Sequence, residues 1–299
     1  MRNTIEFETW DVFTDRRFAG NPLAVLFDAD GLDSSTMLAI AREFDYSESV
    51  FVVAPRTGDA DARLRIFTPG GELPFAGHPT VGAACAIARR RRIGGQLLLD
   101  LDAGRFPVTL GNGQSVPSAE FDNPNRPEIV GAGPEPARIE AALGLPQGGV
   151  DSSAHRPRRV GAGIDFVYAR APLEIVRGAR LDTAAWRALG IEHECGLLLY
   201  APVGDGSADA DWHVRMFAPH IGVDEDPATG SAAAALPGQV LAAGELVEGA
   251  HDWVVEQGVE MGRPSRIRVR FDVRSGTVER LRVGGSAVPV MSGRFSVGG

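Results

Sequence analysis

One carboxyl group in this sequence has the setting that proton transfer needs. Glu48 sits in Phe44-Asp-Tyr-Ser-Glu-Ser-Val-Phe-Val-Val, at the start of an apolar strand predicted over Val50 to Ala54. A carboxyl beside so apolar a run loses hydration, which raises its pKa toward the range of a general acid or base working near neutral pH. Local sequence leaves a second reading open, an exposed glutamate in the turn before the strand.

Two loops carry the other chemistry. Arg65-Ile-Phe-Thr-Pro is followed by Phe75-Ala-Gly-His-Pro-Thr-Val-Gly-Ala-Ala-Cys-Ala, and Arg215-Met-Phe-Ala-Pro by Asp226-Pro-Ala-Thr-Gly-Ser-Ala-Ala-Ala-Ala. Each reads as a short strand, a proline-bearing loop, a glycine and an alanine-rich helix. Pairing Ala76-Gly77-His78 with Thr229-Gly230-Ser231 needs three extra residues in the second loop. A helix N-terminus offers backbone N–H groups and partial positive charge, so Gly77 and Gly230 mark two places for a substrate carboxylate or a developing enolate. The same glycines also suit tight turns and nothing more. Of the six histidines, His78 alone falls in a repeated loop, where capping the first turn is the plainer role.

Duplication of one lobe is the economical explanation of the repeat, chance similarity of Gly- and Ala-rich stretches being the alternative. Lobes related by an approximate two-fold axis would place a cleft between two facing helix N-termini. A weaker echo pairs Leu101-Asp-Ala-Gly-Arg-Phe-Pro-Val with Leu281-Arg-Val-Gly-Gly-Ser-Ala-Val-Pro-Val, each read as a strand crossing a glycine. The expected lobes are residues 1–120 and 121–299, joined by a polar, proline-rich surface stretch from Gly111 to Pro136. Beyond it the sequence predicts helices at Pro136–Leu143 and Ala184–Leu189. It predicts strands at Val160–Ala169, Gly196–Pro202 and Ile267–Val273.

Composition sets the class. The 299 residues, 44% apolar and 23% charged, suit a globular chain with a full core, and 37 glycines with 20 prolines suit short strands and many turns. A net charge of −9 gives no pull toward nucleic acid or an anionic membrane. The one basic run, Arg89 to Arg92 before Gly94-Gly95, reads as a helix C-terminus. No apolar stretch is long enough to span a membrane, and the alternating N-terminus reads as a strand rather than a signal peptide. Two separated cysteines, Cys85 and Cys195, exclude a disulfide framework or a thiolate zinc site and fit a reducing cytoplasm, the expected location. No phosphate-binding glycine fingerprint occurs, Gly204 to Asp211 reads as a hairpin turn rather than a calcium loop, and the dispersed histidines lack metal-ligand spacing. Neither cofactor nor metal is expected.

Phe18-Ala-Gly-Asn-Pro-Leu-Ala-Val, Ser47-Glu48 before Val-Phe, Phe75-Ala-Gly-His-Pro-Thr, Asp224-Glu-Asp-Pro-Ala-Thr-Gly-Ser and Gln257-Gly258 with Met261-Gly-Arg-Pro-Ser resemble the phenazine-biosynthesis isomerase family, in order over nearly the whole chain. The resemblance implies the α/β (α+β) fold of diaminopimelate epimerase. In that fold two pseudo-symmetric lobes each wrap a curved, mostly antiparallel sheet around a central helix. It also implies a homodimer, and a final strand near 290–299 that returns to the first lobe. By position Glu48 matches the family's catalytic acid/base, and His78 and Asp226 the catalytic polar residues. Ser47, Gly77, Gly230 and Ser231 match the substrate-binding set.

The expected activity is cofactor-independent isomerisation of a small carboxylic acid, possibly a cyclic unsaturated one. Diaminopimelate epimerase and proline racemase look related in fold but place a cysteine at each helix N-terminus, where this chain has Ala76 and Thr229. Amino-acid epimerisation through Glu48 and Asp226, and plain capture of an acid without catalysis, are the alternatives.

Overall fold

The computed structural model describes residues 4–111, 116–191, 196–204 and 209–297. His193 and Cys195, and parts of the Gly111–Pro136 and Gly204–Asp211 stretches, lie outside the described residues. The chain divides into two compact units. The first comprises residues 1–122 with 284–299, and the second comprises 123–283.

The first unit starts with β1 (Thr4–Val12), β2 (Asn21–Leu26), α1 (Ser34–Phe44), β3 (Glu48–Val53), β4 (Ala62–Thr68) and β5 (Gly71–Leu73). It continues with α2 (Gly77–Arg91), β6 (Gln96–Leu101), β7 (Gly104–Leu110) and β8 (Ser118–Asp122). The second unit holds β9 (Glu128–Ala132), α3 (Pro136–Ala142), β10 (Arg158–Gly161), β11 (Asp165–Arg170), α4 (Leu173–Gly178) and α5 (Thr183–Trp186). There follow β12 (Leu197–Pro202), β13 (Trp212–Ala218), β14 (Val223–Asp226), α6 (Gly230–Ala242), β15 (Gly249–Gln257) and β16 (Ser265–Arg274). The long β17 (Thr277–Ser296) supplies a strand segment to both units.

The two units share one connectivity. In the first, β1–β2, β3–β4, β4–β5 and β6–β7 are antiparallel, while β2–β3 and β4–β6 are parallel. In the second, β10–β11, β12–β13, β13–β14 and β15–β16 are antiparallel, while β11–β12 and β13–β15 are parallel. Each parallel step is made by a crossover: α1, or α4 with α5, spans the outer step, and α2 or α6 the inner one. The first unit's sheet closes on itself, because β17 pairs with both β1 and β8 and β8 pairs with β7.

Each sheet wraps a buried helix. Residues Gly77 to Ile87 of α2 are all buried, and α2 packs on β1, β2, β3, β4, β6, β7 and β8. Residues Ala232 to Val240 of α6 are likewise buried, and α6 packs on β9, β10, β11 and β16. Small residues make this possible. A methyl group added at Gly82 would lie 2.5 Å from Leu23 Cδ2 and 2.6 Å from Val12 Cγ2. At Gly238 it would lie 2.7 Å from Pro127 Cβ. Arg92 ends α2 in the left-handed conformation, with Arg89, Arg90 and Arg91 in the last turn, as the basic run predicts.

Three sequence expectations need correction. Leu101 to Val108 is a hairpin turning at Gly104 (φ +134°), whereas Leu281 to Val290 lies within the single strand β17, so that echo is not a structural repeat. The run 160–169 is two antiparallel strands joined through Gly163 (φ +102°). Much of the stretch from Gly111 to Pro136 is β8 and β9 rather than connection, because Ala119 and Phe121 alternate into the core.

Gly82→Val tests the close approach of α2. Removing glycine from a helix interior gains under about 1 kcal/mol, whereas overpacking a filled core costs about 1–3 kcal/mol. The variant should therefore unfold at lower urea than the parent; an unchanged midpoint would show that the sheet can open around the helix.

Candidate functional site

The register of β3 sets the position of Glu48. It is the first residue of the strand, paired with Leu23 of β2, the residue whose side chain lies against Gly82 of α2. Alternation then sends Glu48 and Val50 to the α2 side of the sheet. Ser49 and Phe51 go to the opposite face, where Phe51 packs with Met37 and Ile40 of α1. The exposed-turn reading of Glu48 is thereby overturned: its side chain is only 18% exposed. Burial raises its pKa, and a hydrogen bond with the Ser47 hydroxyl pulls the other way.

His78, the second residue of α2, points Nδ1 at Glu48 Oε2 across 3.7 Å. That is ion-pair range for a protonated imidazole and longer than a direct hydrogen bond. His78 does not cap the helix by itself, since the N-cap is Ala76, which offers no side-chain oxygen. The Ser47 hydroxyl also lies 3.2 Å from Oδ1 of buried Asn21, so its single hydrogen serves either Asn21 or Glu48 at one time. Gly77 is the first, buried residue of α2. Glu48, His78, Ser47 and Gly77 are thus gathered at one end of the helix.

In the second unit Asp226 ends β14 and is buried, Gly230 opens α6, and half-buried Ser231 follows it. Thr229, the N-cap, makes no capping bond; its hydroxyl instead donates to Asp226 Oδ2 at 2.5 Å. Gln257, fully buried at the end of β15, donates to the Asp226 carbonyl (2.7 Å) and to Thr229 Oγ1 (3.0 Å), and accepts from Thr229 N–H (3.1 Å). Sequence reasoning gave Asn21, Thr229 and Gln257 no role, although all three stand inside the quoted motifs. The spacing Asp226-x-x-Thr229 was the available signal for a loop held by its own side chains.

Two further groups bear on chemistry. Cys85 is buried in α2 with its thiol pushed up to about 12 by burial, so it is not a ready nucleophile. Among the described residues no group of three or more His, Cys, Asp or Glu is arranged to hold a metal ion. His213 is fully buried between Glu256 (Nδ1, 3.0 Å) and Glu260 (Nε2, 3.0 Å), so both ring nitrogens are engaged. No helix among the described residues is long and apolar enough to cross a membrane.

The profile of the PhzC-PhzF family, phenazine biosynthesis-like proteins, matches residues 10–293. The chain belongs to this family. An uncharacterised isomerase of Mesorhizobium japonicum is 40% identical over 98% of this chain and 99% of its own. The trans-2,3-dihydro-3-hydroxyanthranilate isomerase of Pseudomonas fluorescens is 36% identical over 93% of this chain and 94% of its own. The crystal structure of a Bacillus anthracis PhzF-family protein superposes with a TM-score of 0.86 at 24% identity, covering 98% of this chain and 99% of that one. The last shows the fold; the first two bear out the expectation of an isomerase.

His213 yields a pH prediction. Burial alone would lower its pKa, but hydrogen bonds to Glu256 and Glu260 outweigh this and lift it to about 9, against 6.5 ordinarily. A raised folded-state value means stabilisation present in full below pH 6.5 and lost as pH rises through about 9. The loss is on the order of 3 kcal/mol. The urea midpoint should fall across that window, and His213→Gln should flatten the slope while lowering stability at neutral pH.

Proposed function

We propose that this PhzF-family chain is a cofactor-independent isomerase, moving a proton on a small, conjugated carboxylic acid through Glu48. The observation that carries this is the enclosed Glu48 carboxyl, its pKa raised by burial, 3.7 Å from His78 at the N-terminus of a buried helix. A carboxyl so placed can take a proton from one carbon and return it to another, because its two protonation states lie closer in energy than those of a hydrated glutamate. The N–H groups that open α2 favour a carboxylate or a developing enolate. In this reading Glu48, His78 and Asp226 are catalytic, and Ser47, Gly77, Gly230 and Ser231 bind substrate. A homodimer and a cytoplasmic location belong to the same proposal, supported by the resemblance in sequence.

The substrate class follows the dihydro-hydroxyanthranilate isomerases among the relatives, a ring acid in which a proton leaves one carbon of a conjugated system and arrives at another. A thiol-based epimerase is disfavoured by Ala76 and Thr229 at the two helix N-termini and by the inert environment of Cys85. Incubation in D₂O with trans-2,3-dihydro-3-hydroxyanthranilate and a panel of amino and unsaturated acids separates the readings by mass spectrometry. Deuterium at a ring carbon supports isomerisation; label at an α-carbon with inversion means epimerisation; binding without label would leave only capture.

Glu48→Gln keeps size and shape but removes the group that accepts a proton. It should lower kcat by about 10²–10⁴-fold with little change in ligand affinity. The parent's kcat/KM should rise with pH as Glu48 ionises, at a pH above the ordinary glutamate value, and the variant should lose that limb. Normal turnover by Glu48→Gln, with Asp226→Asn inactive, would assign the base to Asp226. Activity should survive exhaustive EDTA treatment and dialysis; restoration by zinc would overturn the cofactor-free mechanism.

A further inference from the structure

We propose that Gln257 is a positioning residue that acts through Thr229 to fix the orientation and hold the negative charge of Asp226. This rests on the reading above that Asp226 serves the reaction, although the hydrogen-bond chain itself is independent of that reading. Gln257 is fully buried, and its amide is committed to one four-residue loop. The orientation of the amide is not open to a flip. The Asp226 carbonyl can only accept, so Nε2 must face it; the Thr229 N–H can only donate, so Oε1 must face that.

The direction of the chain follows. Nε2 also donates to Thr229 Oγ1, which fills an acceptor position on the hydroxyl and leaves its single hydrogen for Asp226 Oδ2. Threonine as an N-cap ordinarily spends its oxygen accepting from the second or third N–H of the helix. Thr229 makes no such bond at α6. Its hydroxyl therefore serves the carboxylate rather than the helix. A hydrogen bond given to a carboxylate stabilises the charged form, and amide-to-hydroxyl-to-carboxylate chains polarise in one direction.

The strand end works as a template for the loop. The β13–β15 pairing places Gln257 opposite Val214, and the next residue, Gly258 (φ +74°), lies so close that an added methyl group would sit 2.6 Å from the Pro227 carbonyl. Side chain and backbone of two consecutive residues thus grip both sides of the loop from Asp226 to Thr229. Gln257 needs no contact with substrate to influence Asp226.

The test reads Asp226 directly. In protein labelled with ¹³C at aspartate carboxyls, with Asp226→Asn identifying the resonance, the pH titration is compared among parent, Thr229→Val, Thr229→Ser and Gln257→Leu. Thr229→Val removes the hydroxyl alone, and should raise the Asp226 midpoint by about one unit. With a substrate that the parent turns over, it should lower kcat by about 10- to 100-fold while KM changes only a few-fold. Thr229→Ser should restore both. Gln257→Leu should shift the same resonance in the same direction; if it fails to fold, Thr229→Val and its serine rescue still decide. An Asp226 titration unchanged in Thr229→Val, or not restored by Thr229→Ser, would overturn the inference. Because the titration needs no substrate, a parent that turned over no acid in the panel would sink the proposed function while the carboxyl titration still decided this inference.

Discussion

A sheet can close around a helix only if the helix is thin. A helix with ordinary side chains has a diameter of about 10–12 Å, and each large residue facing the sheet pushes the strands outward. Here the buried lengths of α2 and α6 are mostly Gly and Ala, with Ile87 and Leu236 among the few large side chains, and the added-methyl distances at Gly82 and Gly238 show that little slack remains. Much else follows from that thinness. A helix buried along its length has only its two ends left to meet polar partners, unpaired N–H groups at one and unpaired carbonyls at the other. The strand residues that begin beside the N–H end, Glu48 among them, share its surroundings. The C-terminus of α2 reaches the surface, where three arginines answer the carbonyl end of the dipole.

The same constraint explains why the fold was legible in part. Alanine-rich helices opened by glycine, each after a short apolar strand and a proline, are an unusual pattern for a surface helix, and both were placed to the residue, at Gly77 and Gly230. Where alternation runs on without a breaker that reads plainly, legibility failed. Gly163 and Gly104 reverse the chain, whereas glycines in 284–293 sit inside an extended β17, and sequence alone does not distinguish the two uses. The strands β8 and β9 hid in proline-rich composition. Glu48 was found by its apolar neighbours, but the direction of its side chain depended on strand register against Leu23, which a linear reading does not contain. Gln257 was beyond reach for the same reason: its partners, Asp226 and Thr229, lie about thirty residues away, and the pairing of β13 with both β14 and β15 brings them together.

Burial of charge is handled in two opposite ways within this chain. His213 has a carboxylate on each ring nitrogen, so its proton is held from both sides and neither nitrogen has a lone pair to offer. Arg215 is similarly saturated, paired with Glu225 through two nitrogens and donating to the carbonyls of Val176, Arg177 and Ala179. Such groups stabilise and do not react. Glu48 is enclosed without comparable neutralisation: Ser47 offers one hydroxyl, and His78 stands 3.7 Å away, too far to fix the proton. A titratable group held by few partners changes protonation state at lower cost, which is the setting that the proposed proton transfer requires of Glu48.

The chemistry of the helix N-termini then depends on what replaces a thiol. A cysteine at an N-cap is activated by the helix itself, because the dipole stabilises a thiolate at that position. Ala76 offers nothing to ionise, and Thr229 has a hydroxyl far too weakly acidic to serve. With no nucleophile at either N-cap, the proton transfer proposed above draws on another element, and the geometry of its groups is held by other means. For Glu48 the means is the β3 register; for Asp226 it is a loop clamped to a strand end by one buried amide. An acid carried by the sheet, as proposed for Glu48, would leave the N–H groups for the substrate's own charge, which suits the proposed class of reaction, in which negative charge spreads over a conjugated acid rather than resting on one carbon.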